Sequence, residues 1–284
     1  LDQKLLLRAD GTSVYITQDI GTANERWNDF HPDQMIYTVA NEQDYHFKVL
    51  KLICAKLGKP YAEGIYHLSY GMVDLPSGRM KSREGTVVDA DDLIDEMETV
   101  AATLSKEQGK MEGLDAKQQK ELFRMLGLGA LKFFILKVDP KKRMVFNPEE
   151  SIDFHGFTGP FIQYTHARIK SVLRKDTSLR AERSNLRHSL ETLEKLEPIE
   201  RELILHLQRY PGTISESAAA YSPAILANYL YYLAKTYNQF YQELPILSAE
   251  KPEQRDFRLL LSSFVADVLK KGMWLLGIEV PERM

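Results

Sequence analysis

Along the first hundred residues the apolar positions switch between a period of two and a period near four. Residues 13–17 (SVYIT) form a short β-branched and aromatic run, residues 19–30 (DIGTANERWNDF) have helical spacing, and residues 35–41 (MIYTVAN) alternate again. Residues 43–58 (QDYHFKVLKLICAKLG) predict an amphipathic helix ended by Gly58, and residues 64–73 (GIYHLSYGMV) a third strand. Such alternation predicts successive βαβ units and a parallel sheet, with ligands at the carboxyl ends of its strands. From Asp91 onward the β signal nearly vanishes. Residues 114–138 read as one or two helices, the proline-bearing segment PKKRMVFNPEES (140–151) as a connector, and four further stretches as helices. In the third of these, Leu226, Tyr229, Leu230, Leu233, Tyr237, Phe240 and Tyr241 recur at the three-and-four spacing of a buried stripe; Leu260, Phe264, Val268 and Leu275 read similarly in the last. The fold class is therefore α/β followed by an all-α bundle. No internal repeat or low-complexity segment is visible.

At 284 residues the chain is long for one domain and comfortable for two. Cys54, its single cysteine, lies in an apolar run, which predicts a buried thiol and a reducing, cytoplasmic setting. No apolar run approaches bilayer length, and no signal peptide opens the chain. The start at Leu1 reads as a piece cut from a longer protein. A net charge of −3 does not exclude a nucleic-acid partner, because a local patch matters more than the sum. Several chemistries drop out. There is no G-x-x-x-x-G-K-[ST], Gly127 and Gly129 lack a third glycine, the seven histidines have no zinc-site companions, and no G-x-S-x-G elbow is present. No metal site is expected.

One short loop remains unexplained. Arg79, Met80, Lys81, Ser82 and Arg83, between Gly78 and Gly85, offer cations and a hydroxyl on a permissive backbone. Such groups suit the charge that develops on a leaving pyrophosphate; a solvated basic turn is the plainer reading. Behind the loop, Asp89 is a fair N-cap, with Asp91 and Asp92 placed for the helix dipole.

RMKSREG resembles the KMSKS signature of class I aminoacyl-tRNA synthetases, and the surrounding HLSYGMVDLPSGRMKSREGTVVDADDLIDEM resembles its form in the arginyl-tRNA synthetase family. Four further segments are similar to that family in the same order: DGTSVYITQDIGTA at the arginine site, YTVANEQDYHFKVL in the next strand and helix, GFTGPFIQYTHARIKSVLRK opening the anticodon-binding domain, and LLGIEVPERM at the carboxyl terminus. The resemblance implies the carboxyl-terminal part of a Rossmann-type catalytic domain over residues 1–100, a helical connector over 101–150 and a helical DALR-type anticodon-binding domain over 151–284. It implies a missing amino-terminal half that would carry the HIGH signature, and so a fragment inactive alone. Departures are Ser82 in place of the second lysine of KMSKS, Arg79 in place of the first, and Ala40 where the family often has glycine.

The activity implied is ATP-dependent formation of arginyl-adenylate, with tRNA bound, followed by transfer to arginine tRNA. Lys81 and Arg83 are the expected catalytic cations, and Arg79, Met80, Lys81, Ser82, His67 and Met72 the expected ATP contacts. Magnesium would accompany the ATP. Tyr15 and Asp19, four apart, can share one pocket if the strand SVYIT passes into helix near Thr17; a core tyrosine and a helix N-cap is the alternative. Aspartate supplies the bidentate acceptor that a guanidinium requires. By resemblance both hold the substrate guanidinium, and Gln43 its amino and carboxylate end. His46 reads equally as near the nucleotide or as a core or supporting histidine behind the site.

Between Arg168 and Arg187, seven cations (Arg168, Lys170, Arg174, Lys175, Arg180, Arg183, Arg187) face two anions, Asp176 and Glu182. That balance fits a phosphate-facing surface or a solvated face. Phe161 and Tyr164 can stack on unpaired bases, and the resemblance implies a tRNA role for Tyr164 and for Met284 beside Arg168, Arg174 and Lys175. A monomer is expected. The competing class is a free-standing, non-catalytic tRNA-binding module, which would have no use for Tyr15, Asp19 and Gln43.

Overall fold

A computed structural model describes residues 3–74, 89–107, 113–175 and 195–284 of the chain. It divides into two compact units, one of Leu1–Val73 with Pro140–Met144 and one of Asp74–Asp139 with Val145–Met284.

In the first unit, α1 (Tyr15–Phe30) is followed by β1 (Met35–Ala40), a 3-10 turn (Asn41–Gln43), α2 (Asp44–Lys56) and β2 (Ile65–Tyr70). The strands run parallel in register from Met35 opposite Ile65 to Ala40 opposite Tyr70, so β1–α2–β2 is the βαβ unit that the alternation predicts. In β1, Met35 is buried, with Tyr37 and Val39 packed on the core, while Ile36 and Thr38 are exposed. The strand expected at SVYIT is absent. Tyr15 and Ile16 already lie in α1, and only an isolated bridge joins Ser13 to Leu7. Helical period wins there over β-propensity: Ile16, Ile20, Ala23 and Trp27 fall on one face and pack with Phe47, Leu50 and Ile65. His31 ends α1 in the left-handed region (φ 44°), its N–H donating to the Trp27 carbonyl. Pro140–Met144 closes the unit: Gly71 N–H donates to Pro140 O at 2.6 Å and Met144 N–H to Met72 O at 3.1 Å.

The second unit is helical: α3 (Ala90–Glu107), α4 (Ala116–Leu136), the short α5 (Pro148–Ser151), α6 (Gly159–Lys175), α7 (Pro198–Ala219), α8 (Pro223–Glu243) and α9 (Pro252–Leu275). Local signals set several starts. Asp89 Oδ1 accepts the Asp91 N–H at 3.0 Å before α3, Asp115 and Gln118 form a capping box on α4, and proline opens α7, α8 and α9, where a missing N–H costs nothing. Gly127 lets α4 approach α3 closely, since a Cβ there would lie 2.8 Å from the Met97 backbone. Leu226, Leu230, Leu233, Tyr237 and Phe240 are buried and Tyr229 packs on them, which bears out the α8 stripe except at Tyr241, which is 40% exposed. The α9 stripe is out of phase: Phe257, Leu261, Val265, Leu269 and Met273 are buried, whereas Phe264 is 54% exposed and Leu275 is exposed too. Apolar residues occupy two faces of α9, and the second, with Leu260, Phe264 and Val268, borders a surface groove with Ile204 and Leu207 of α7. No helix among the described residues is long and apolar enough to cross a membrane.

Candidate functional site

In the first unit, Tyr15 and Asp19 lie four residues apart on α1, so they share a face without any strand. Tyr15 is 78% exposed. Asp19 is already engaged: its Oδ2 lies 2.6 Å from Nε2 of His46, on the first turn of α2, with the Asp19 side chain 36% exposed. Gln43 is exposed at the end of the turn that follows β1, beside the carboxyl end of that strand. Met72 follows the carboxyl end of β2, with an exposed side chain and a backbone carbonyl bonded to Met144. The His67 ring is committed to the protein. Its Nε2 donates to the Val39 carbonyl at 2.9 Å, Nδ1 lies 3.2 Å from Asp44 Oδ1, and the ring stacks on Phe47 at 4.4 Å. Phe47 also meets His46 edge-on at 5.4 Å. Cys54 is fully buried and unpaired, and burial pushes its thiol up, as expected of an inert core residue. Arg79, Met80, Lys81, Ser82 and Arg83 lie outside the described residues.

In the second unit, one cleft of about 660 Å³ gathers Tyr164, Arg168, Arg174, Lys175 and Met284. Its opposite wall is Tyr241 and the segment from Leu244 to Ser248 after α8. Arg168 is a built element, not a loose cation: its guanidinium lies 4.6 Å from the Tyr164 ring centroid and 5.3 Å from that of Tyr241, and it donates to Asn238 Oδ1. Asn238 in turn donates to Thr165 Oγ1 at 2.7 Å and to the Ala234 carbonyl at 3.0 Å. Phe161 does not line the cleft; three residues before Tyr164, it packs on Tyr231 at 5.3 Å. Arg180, Arg183 and Arg187, with Asp176 and Glu182, lie outside the described residues.

Met284 reaches the cleft because the last eight residues are fastened as a strap. Gly277, at φ 69°, turns the chain out of α9, and Lys132 Nζ donates to its carbonyl at 2.6 Å. A stripe along α6 then holds the strap: Gln163 Nε2 donates to Glu279 O at 2.7 Å, His166 Nδ1 to Pro281 O at 2.9 Å, and Arg174 Nη1 to Glu282 O at 2.7 Å. Lys270 at 2.8 Å and Lys170 at 3.5 Å bind the Glu282 carboxylate. Partial burial works against that carboxylate, but the Lys270 hydrogen bond and the neighbouring Lys170, His166 and Lys270 charges hold it below the usual glutamate range. His166 is fully buried, and burial lowers its pKa; a carbonyl partner fixes the proton on Nδ1. Arg174 is thus spent on the strap, while Lys175 projects exposed at the end of α6.

The wall of the cleft is anchored too. Arg258, almost fully buried, donates from Nε to Glu200 Oε1 at 2.7 Å and from Nη1 to the Pro245 carbonyl at 2.8 Å. Sequence reasoning missed Asn238 and the wall after α8 and read Tyr241 as a stripe residue; it named His46, but without Asp19 as its partner. Gln163 and His166, buried polar residues of α6, are the side chains that grip the strap's backbone at Glu279 and Pro281.

Residues 3–147 match the family described as tRNA synthetases class I (R), catalytic domain, and residues 162–284 match the DALR anticodon binding domain. Curated relatives named arginine–tRNA ligase from Flavobacterium psychrophilum and Amoebophilus asiaticus are each 56% identical over all of this chain, which spans 46% and 47% of their lengths. Among solved structures, the arginyl-tRNA synthetase of Thermus thermophilus superposes with a TM-score of 0.85 at 29% identity, over 99% of this chain and 51% of that one. That of Plasmodium falciparum gives 0.80 at 25% identity, over 100% and 47%.

Proposed function

The chain belongs to the class I arginyl-tRNA synthetase family, and from that premise we propose that it supplies part of an arginine–tRNA ligase. The reaction is attack of the arginine carboxylate on the α-phosphate of ATP, giving arginyl-adenylate and pyrophosphate, then transfer of the arginyl group to the terminal ribose of arginine tRNA. No bond to the protein forms, so the chain's residues act by positioning and electrostatics. Asp19 pairs with the substrate guanidinium, Tyr15 flanks it, and Gln43 meets the amino and carboxylate end. Met72 and His67 lie toward the adenine, His67 as a support with its ring nitrogens engaged. Arg79, Met80, Lys81, Ser82 and Arg83 border the phosphates, with Lys81 and Arg83 meeting the pyrophosphate; magnesium arrives with ATP as part of the substrate. The catalytic part spans residues 1–100, a connector 101–150 and the anticodon-binding part 151–284, where Tyr164, Arg168, Arg174, Lys175 and Met284 border the tRNA cleft.

The observation that best supports this reading is the arginine-type catalytic match over residues 3–147, joined in one chain to an anticodon-binding match over residues 162–284. Because the chain spans about half the length of its curated relatives, it is proposed to be inactive by itself. The test offers all twenty amino acids with ATP and arginine tRNA to the protein at its natural full length. ATP-dependent charging with arginine alone is expected; charging with another amino acid, or none, overturns the assignment. Arginine-dependent pyrophosphate exchange by the 284-residue chain alone, with tRNA present, would contradict the claim of inactivity.

A further inference from the structure

We infer that His46 is a positioning residue for arginine: it holds the Asp19 carboxylate in the orientation that receives the guanidinium. The inference rests on the assignment of Asp19 to that group. The carboxylate stands on α1 and its holder on α2, 27 residues later, with Nε2 and Oδ2 2.6 Å apart. Phe47 braces the imidazole edge-on, and Phe47 is itself buried and stacked on His67. The holder therefore has a fixed ring behind it. An exposed aspartate on a helix otherwise samples several rotamers, and ordering it on binding weakens binding.

The geometry leaves the acceptor capacity that a guanidinium needs. A carboxylate has about four lone-pair sites, and His46 uses one of them. Among the described residues Oδ1 accepts no hydrogen bond, and the Asp19 side chain stays 36% exposed, so Oδ1 keeps its acceptor capacity and Oδ2 keeps the lone pair that His46 does not use. Two parallel N–H donors of a guanidinium fit that remainder; a single ammonium gains only one of the two bonds. His46 thus contributes to the choice of arginine over lysine without touching either.

The test measures arginine and ATP KM and kcat for aminoacylation in the natural-length protein. His46→Ala should raise the arginine KM about tenfold, the scale of one hydrogen bond to a charged group, with kcat and the ATP KM within about twofold. His46→Gln, whose amide can donate from a similar position, should recover most of the loss. In an Asp19→Asn background, His46→Ala should add little, because the group it positions has lost its charge. An unchanged arginine KM in His46→Ala, equal losses for both substrates, or full additivity with Asp19→Asn overturns the inference. If Asp19→Asn itself leaves the arginine KM unchanged, the guanidinium assignment fails instead, so the two failures are separable.

Discussion

Two sets of charged residues in this chain are proposed to face ligands, and the fold prepares them in opposite ways. Around the cleft of the second unit, Arg168 is sandwiched by Tyr164 and Tyr241 and bonded to Asn238, and Arg174 is bonded to the strap. At α1, Asp19 is held through one oxygen and left open at the other. The cleft is a preassembled surface, on which cations shape aromatic walls as much as they offer charge. The α1 site is a single poised acceptor. Stacking faces and diffuse charge suit a large, partly single-stranded ligand; one carboxylate with its geometry set in advance suits a guanidinium.

The comparison can be broken first at the cleft's foundation. Arg258→Ala strands a buried Glu200 and releases the Pro245 wall, and should cost about 3–5 kcal/mol, read as a lower thermal midpoint of the second unit. The double change Glu200→Leu with Arg258→Met should recover part of it, because an apolar pair needs no charge compensation; no recovery would mean that the wall, or the cap that Glu200 gives the start of α7, dominates over the stranded charge. Next in size, Asp19→Asn should raise the arginine KM about a hundredfold and leave the ATP KM nearly unchanged, since only the guanidinium loses its counter-charge. Equal losses would point to folding.

A smaller effect separates the two cations at the end of α6. Lys175→Gln should lower the salt-dependence slope of tRNA binding by about one, as expected for one phosphate contact. Arg174→Gln should weaken binding with less change in slope, because its guanidinium serves the Glu282 carbonyl. Identical slopes for the two variants would erase that distinction. Smallest is the strap's acid sensitivity. Glu282 has its folded pKa depressed below the ordinary 4.5, so its contribution is present above that value and fades as pH falls through the lower, folded one. The midpoint difference between the wild type and Glu282→Gln should be below about 1 kcal/mol in equivalent energy at neutral pH, and shrink as the pH falls through the depressed folded pKa of Glu282. A difference that grows in acid would contradict it.

Legibility in the sequence divides along the same physical line. Helices α4, α6, α8 and α9 and the pair β1–β2 were readable because periodicity, caps and opening prolines are local signals. SVYIT misled because β-branched residues carry strand propensity wherever they stand, while the face formed by Ile16, Ile20, Ala23 and Trp27 extends beyond that window. The α9 stripe was misphased because the helix is apolar on two sides. Asp19 and Tyr164 were proposed through resemblance, but what holds the structure around them was not legible: His46 lies 27 residues from Asp19, and the strap is gripped mainly through backbone carbonyls, which any residue supplies. The cations at 79–83 were proposed through resemblance and lie outside the described residues.

A single crossed experiment puts the whole contrast at risk: arginine and tRNA KM values for Asp19→Asn and Arg168→Ala, measured in the natural-length protein. Asp19→Asn should move the arginine KM by about a hundredfold and the tRNA KM by less than about threefold. Arg168→Ala, which removes two ring contacts and one hydrogen bond, should move the tRNA KM by about tenfold and leave the arginine KM in place. If each variant moves both values together, the two regions do not divide the ligands between them, and the account is wrong.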